Sequence, residues 1–116
     1  MSGKEYTPRR ASLKRWLQEA PTYILDVFDS KDSGERYTIV FTKDMSSQTG
    51  SYADTWISYL GMSGAPSHPQ GVSMWGEMRA YDMAQYRYRV KHQRVKWLDL
   101  PEHIRKHVIA RATQEN

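Results

Sequence analysis

The sequence contains no cysteine. That excludes a disulfide framework, a thiol nucleophile and a thiolate metal site, and it suits a reducing compartment. No apolar run approaches the roughly 20 residues that a membrane span requires. The N-terminal stretch MSGKEYTPRRASLKRW is basic but has no apolar core, so no secretory signal is expected there. No Ser–His–acid spacing stands out, and no cluster of metal-ligand type is complete. These absences lead to the expectation of a soluble, cytoplasmic protein with no cofactor and no metal, working by binding rather than as an enzyme.

What is present is charge, aromatics and a length of 116 residues. That length fits one domain spanning residues 1–116, with 1–8 expected to be flexible. Lys and Arg number 17 against 13 Asp and Glu, and the excess is uneven. Residues 1–21 and 83–116 are basic, whereas residues 22–82 are acidic. Basic ends attract either a polyanion or an acidic protein surface.

Periodicity sets the expected elements. Leu13, Trp16 and Leu17 recur at helical spacing after Ser12 as N-cap, and Pro21 ends that helix. Tyr23–Phe28 and Arg36–Thr42 are β-rich runs around the polar Asp29–Glu35 segment. They predict a hairpin, with Gly34 supplying any positive φ. Residues 43–53 read as a loop. Residues 55–62 (TWISYLGM) read as a central strand with apolar groups on both faces, and Val72–Met78 as a short strand. Tyr81–Tyr86 reads as a helical turn. Tyr86–Lys91 (YRYRVK) alternates strictly, predicting another strand, with Val95–Trp97 extended beyond it. Asp99-Leu-Pro-Glu predicts the start of a final helix near 100–112, with Asp99 as N-cap. The fold class expected is α+β: an antiparallel sheet of three to five strands with a helix near each terminus.

Between 59 and 78 lies YLGMSGAPSHPQGVSMWGEM, holding Gly61, Gly64, Gly71 and Gly76, and Pro66 and Pro69. The prolines fix their own φ and push Ala65 and His68 toward extended backbone. A preorganised loop carrying His68 and Gln70 can line a ligand site, or His68 can satisfy backbone groups that the irregular chain leaves unpaired. A His68-centred enzyme, partnered by Asp26 or Glu77, is the weaker reading. His103 and His107 share a helical face, but the third ligand of a zinc motif is missing. The Asp29–Glu35 segment lacks the bidentate glutamate of a calcium loop.

Several segments taken together resemble a group of small proteins carried by bacteriophages and other bacterial mobile elements. They are Asp26-Val-Phe-Asp-Ser, Arg36-Tyr-Thr-Ile-Val-Phe, Leu60-Gly-Met-Ser, Ser67-His-Pro-Gln-Gly, Trp75-Gly-Glu and Leu98-Asp-Leu-Pro-Glu, covering roughly residues 23–108. The hairpin loop departs from that group's usual Asp-Asn-Gly-Gly, having Asp29-Ser-Lys-Asp-Ser-Gly instead. The resemblance implies a phage or prophage origin and action in the cytoplasm of a bacterial host. It implies no particular reaction.

The most suggestive chemistry is the basic, aromatic ribbon at 86–97. On a strand, Arg87, Arg89 and Lys91 would project from one face about 6.6 Å apart, near the phosphate spacing of an extended single strand. Arg94 and Lys96 extend the patch, and Tyr88 or Trp97 would stack on a base. Arg9, Arg10, Lys14 and Arg15 form a second basic element. The leading expectation is nucleic-acid binding, single strands favoured. The alternative is an inhibitor or modulator that holds a host bacterial protein through Arg, Tyr and Trp anchors. A charge-defended edge strand with no partner is the plain reading. Oligomeric state is not legible from these residues.

Overall fold

The computed structural model describes residues 14–32, 34–42 and 56–114. The expected flexibility of residues 1–8, the expected Ser12 cap, Leu13, Arg9, Arg10 and the loop expected at 43–53 lie outside the described residues.

The hairpin forms where alternation predicts it, from β1 (Ile24–Asp29) and β2 (Tyr37–Phe41), paired antiparallel from Ile24↔Phe41 to Asp29↔Tyr37. A bulge between Ile24 and Asp26 turns Leu25 outward, where it is exposed. Its loop is closed by side chains. Asp29 accepts from the Lys31 N–H at 2.9 Å and from Arg36 Nε and Nη2 at 2.9 and 3.1 Å. The positive φ falls on Lys31 (67°), not on Gly34 as the glycine suggested. The Asp29 turn dictates this conformation locally, and the fork to Arg36 holds it.

β3 (Trp56–Met62) pairs with β2, and β4 (Ser73–Arg79) pairs with β3, both antiparallel. β5 (Arg94–Val95) pairs with the other side of β1, so the order is β4-β3-β2-β1-β5. Between β3 and β4 the chain makes a tight loop. Ser63 N–H donates to Val72 O and Ser63 Oγ accepts from Val72 N–H. Gly71 is required here, because a Cβ would sit 2.0 Å from Ala65 O.

Two helices cover the sheet. α1 (Ala80–Arg89) continues directly from β4, and α2 (Glu102–Gln114) ends the described chain. One face, built from Val27, Ile39, Phe41, Leu60 and Met62, packs against Leu100 and against Ile104, Val108, Ile109 and Ala112 of α2. Each fully buried Leu, Ile or Val contributes about 1.5–3 kcal/mol. A 13-residue helix is marginal alone, so this burial holds it in place. On the other face Phe28 and Val40 lie under Met83 of α1, flanked by Ile57, Tyr59 and Tyr86. β3 is therefore covered on both sides, as its two apolar faces imply.

Asp99 does not cap α2. Its carboxylate accepts from Lys96 N–H at 2.9 Å, closing the 3₁₀ turn Trp97–Asp99. Pro101 O takes the first helical bonds, from Ile104 and Arg105. Near the N-terminus, Lys14–Trp16 are helical and Gln18 and Glu19 N–H bond to Arg15 O. The class is α+β, with a five-stranded antiparallel sheet.

The expected strand at 86–91 is overturned: residues 80–89 are helical and Lys91–Gln93 form a 3₁₀ turn. Alternation over six residues competes with a longer pattern. Met83, Tyr86, Arg87 and Val90 recur at i, i+3, i+4 and i+7, and these are the residues that α1 and its C-cap turn toward the sheet. Ala80, Met83, Ala84, Gln85, Arg87 and Arg89 are also good helix formers.

Candidate functional site

The basic residues of the predicted ribbon do not share a face. Arg87 turns inward, and its Nε donates to Asp26 Oδ2 at 2.6 Å across 61 residues of sequence. Arg94 Nη1 lies 3.9 Å from the other oxygen of the same carboxylate. Trp97 is buried and donates its indole N–H to Trp16 O at 2.6 Å, so it cannot stack on a ligand. That bond fastens the turn bearing Lys14 and Arg15 to the segment that carries Lys96. Lys14 is exposed, and Arg15 pairs with Glu19 at 3.5 Å.

A different arrangement takes the ribbon's place. Arg89, Lys91, Arg94 and Lys96 are all exposed, at the C-terminal end of α1, in the turn after it, in β5 and just past β5 in turn. From 85 to 98 the chain has five Lys and Arg and no acid. Among the described residues, Arg89, Lys91 and Lys96 have no carboxylate partner. Lys91 Nζ sits 4.1 Å over the Tyr88 ring, and Arg89 lies over Tyr86 at 5.5 Å. Tyr88 is 71% exposed. Tyr81, 72% exposed and two turns earlier, was not singled out from sequence. With Ala84, Gln85 and Arg89 these tyrosines line a shallow groove of about 460 Å³. The helical i, i+7 spacing of Tyr81 and Tyr88 is the signal that would have found it.

The loop at 63–72 presents a second arrangement. His68 and Gln70 are exposed, and His68 Nδ1 accepts from Gln70 N–H at 3.0 Å. His68 thus organises its own backbone, and Asp26, one of its two suggested partners, is engaged with Arg87. A depression of about 370 Å³ is lined by Ser63, Gly64, Ala65, His68, Gln70 and Gly71.

The histidines of α2 hold this loop. His103 Nε2 is 2.9 Å from Gly64 O, and His107 Nδ1 is 3.5 Å from Ser67 Oγ. His107 Nε2 is 2.7 Å from Ser73 Oγ at the start of β4, and Arg111 Nη1 donates to that same oxygen at 2.9 Å. Burial, and then the Arg111 charge, hold the His107 pKa below the usual histidine value. Sequence reading singled out neither Ser73 nor Arg111. His103 and His107 were visible only as an i, i+4 pair, with nothing to indicate partners 34 to 40 residues away. Among the described residues no group of three His, Cys, Asp or Glu could hold a metal. Nor, among them, is any helix long and apolar enough to cross a membrane. Compared with protein-family models, with curated proteins and with solved structures, the chain gives no match.

Proposed function

We propose that this chain is an accessory protein of a phage or other mobile element, acting in the bacterial cytoplasm, that binds single-stranded nucleic acid at the corner formed by α1, the turn after it and β5. The observation that carries the reading is the run of exposed Arg89, Lys91, Arg94 and Lys96, with Lys91 over the exposed Tyr88 ring and Arg89 in the groove lined by Tyr81 and Tyr88. Cations able to meet phosphates and aromatic faces able to meet bases are the two components of sequence-tolerant single-strand binding. Tyr81 and Tyr88 stand about 10 Å apart along the helix axis, so two bases can be engaged at once. Arg87 is reassigned from phosphate contact to internal support, and Trp97 from stacking to the core.

The test is a fluorescence-anisotropy titration with a labelled oligonucleotide at several salt concentrations. Four phosphate contacts on a single strand correspond to a log–log salt slope of about −2.8. Between 50 and 200 mM salt that is a loss of roughly 50-fold in affinity. The double variant Lys91→Ala/Lys96→Ala is expected to halve the slope. Absence of binding at low salt refutes the reading. In that case the same tyrosine and arginine surface points to a host protein as partner, recovered from a nuclease-treated lysate.

A further inference from the structure

We propose that Ser73 and His107 form a nucleophile and general-base pair at the seam between β4 and α2, a site for acyl transfer from carboxylic esters. This goes beyond the nucleic-acid reading and does not depend on it.

Among the described residues Ser73 Oγ has two hydrogen-bond partners, Arg111 Nη1 at 2.9 Å and His107 Nε2 at 2.7 Å. A guanidinium only donates. The hydroxyl proton of Ser73 is therefore directed to His107 Nε2, which must be the unprotonated ring nitrogen. Nδ1 then carries the ring proton, facing Ser67 Oγ at 3.5 Å. That is the tautomer a general base needs, and 2.7 Å is within the reach that proton transfer from a serine requires. The lowered His107 pKa keeps the ring neutral near pH 7. Ser67 serves as a positioning residue at the place an acid occupies in a triad. The Arg111 charge beside Oγ favours the alkoxide character that develops on attack.

Access is provided by the fold. Ser73 is half-buried, not sealed, and opens β4, one of the two edge strands of the sheet among the described residues. A clip between sheet and helix needs one hydrogen bond. Here a serine sits between a cation and a neutral imidazole, with the second ring nitrogen facing a further hydroxyl.

Oγ bonds to the ester carbonyl carbon, the carbonyl π pair moves to oxygen, and the hydroxyl proton passes to Nε2. The tetrahedral species collapses with loss of the alcohol, which takes the proton from Nε2. Water then adds to the acyl-serine by the same route, releasing the acid and restoring Ser73.

The experiment incubates the full chain with a fluorophosphonate. Attack forms the Oγ–P bond and breaks P–F, so fluoride leaves and the proton goes through His107 to solvent. Intact mass and peptide mapping are expected to give a single adduct, on Ser73, absent in Ser73→Ala. His107→Gln is expected to slow it about 100-fold, at the lower end of base catalysis. On the helix the Arg111 guanidinium and the His103 ring flank His107, and among the described residues the loop and β4 bring Ser67 and Ser73 within hydrogen-bond range of the ring. The wild-type rate should therefore fall as acid protonates His107, below the ordinary histidine range, and His107→Gln should lack that limb. Circular dichroism checks that each variant is folded. Wild-type mapping decides the matter even if a variant does not fold: no adduct on Ser73 overturns the proposal. Equal labelling in folded His107→Gln overturns the base assignment and with it the proposed pair, leaving His107 a structural contact.

Discussion

Asp26 is the acid on which the basic corner turns, and replacing it with asparagine separates two effects. Its side chain is 11% exposed and that of Arg87 is 33% exposed, so the pair is neither a surface bridge nor a sealed one. Exposed pairs contribute about 0–1 kcal/mol, and losing one partner of a fully buried pair costs about 3–5 kcal/mol. A charge-assisted bond in between contributes about 2 kcal/mol. For a domain of this size that lowers the thermal midpoint by roughly 8 °C. Asp26→Asn also leaves Arg87 and Arg94 without the carboxylate they both approach. One further cation released to phosphate steepens the salt slope by about 0.7, toward −3.5. The expected variant is thus less stable yet tighter in binding at low salt. Thermal denaturation followed by circular dichroism reads the first effect, and anisotropy below the lowered midpoint reads the second. A midpoint unchanged within about 1 °C would show that the pair does not support α1. A lower midpoint with an unchanged slope would break the link between this carboxylate and the binding corner.

Gly71→Ala forces a Cβ against the Ala65 carbonyl and is expected to cost about 2 kcal/mol by overpacking. Gly34→Ala, which meets open space, should stay within about 0.5 kcal/mol of wild type. Equal denaturant midpoints for the two would contradict the loop geometry. Asp29 responds to pH. Its hydrogen bond from Arg36, chiefly, holds its pKa below the usual carboxylate value, against the opposing effect of burial. The folded state thus binds fewer protons than the unfolded one, and the stabilisation is fully present above about pH 4 and lost as pH falls through the depressed folded value. The stability gap between wild type and Asp29→Asn should close in acid, and a gap constant from pH 7 to pH 2 would refute the assignment.

The elements legible in the sequence were those whose local pattern and tertiary role agree. The hairpin of β1 and β2 follows from alternation around a polar turn. β3 follows from apolar groups on both faces, and α2 from a continuous apolar stripe. The Tyr86–Lys91 segment shows the opposite case. Its Tyr/Arg alternation satisfies a strand template, and its Met83–Tyr86–Arg87–Val90 spacing satisfies a helix template. Only the sheet beneath it chooses, because Phe28 and Val40 offer a surface for Met83, and Asp26 offers a carboxylate for Arg87.

By itself the sequence determined the charge layout, the absence of thiol chemistry and the α+β class. These depend on residue type and on neighbours within a few positions, and near-neighbour sterics and solvation are the same in any fold. Tertiary structure decided which cations are free to meet a partner and which are spent on the protein's own acids. It also decided that Ser73, His107 and Arg111 meet at all. Contacts across 34 to 61 residues depend on strand register and helix placement, and those are set by burying the whole core at once.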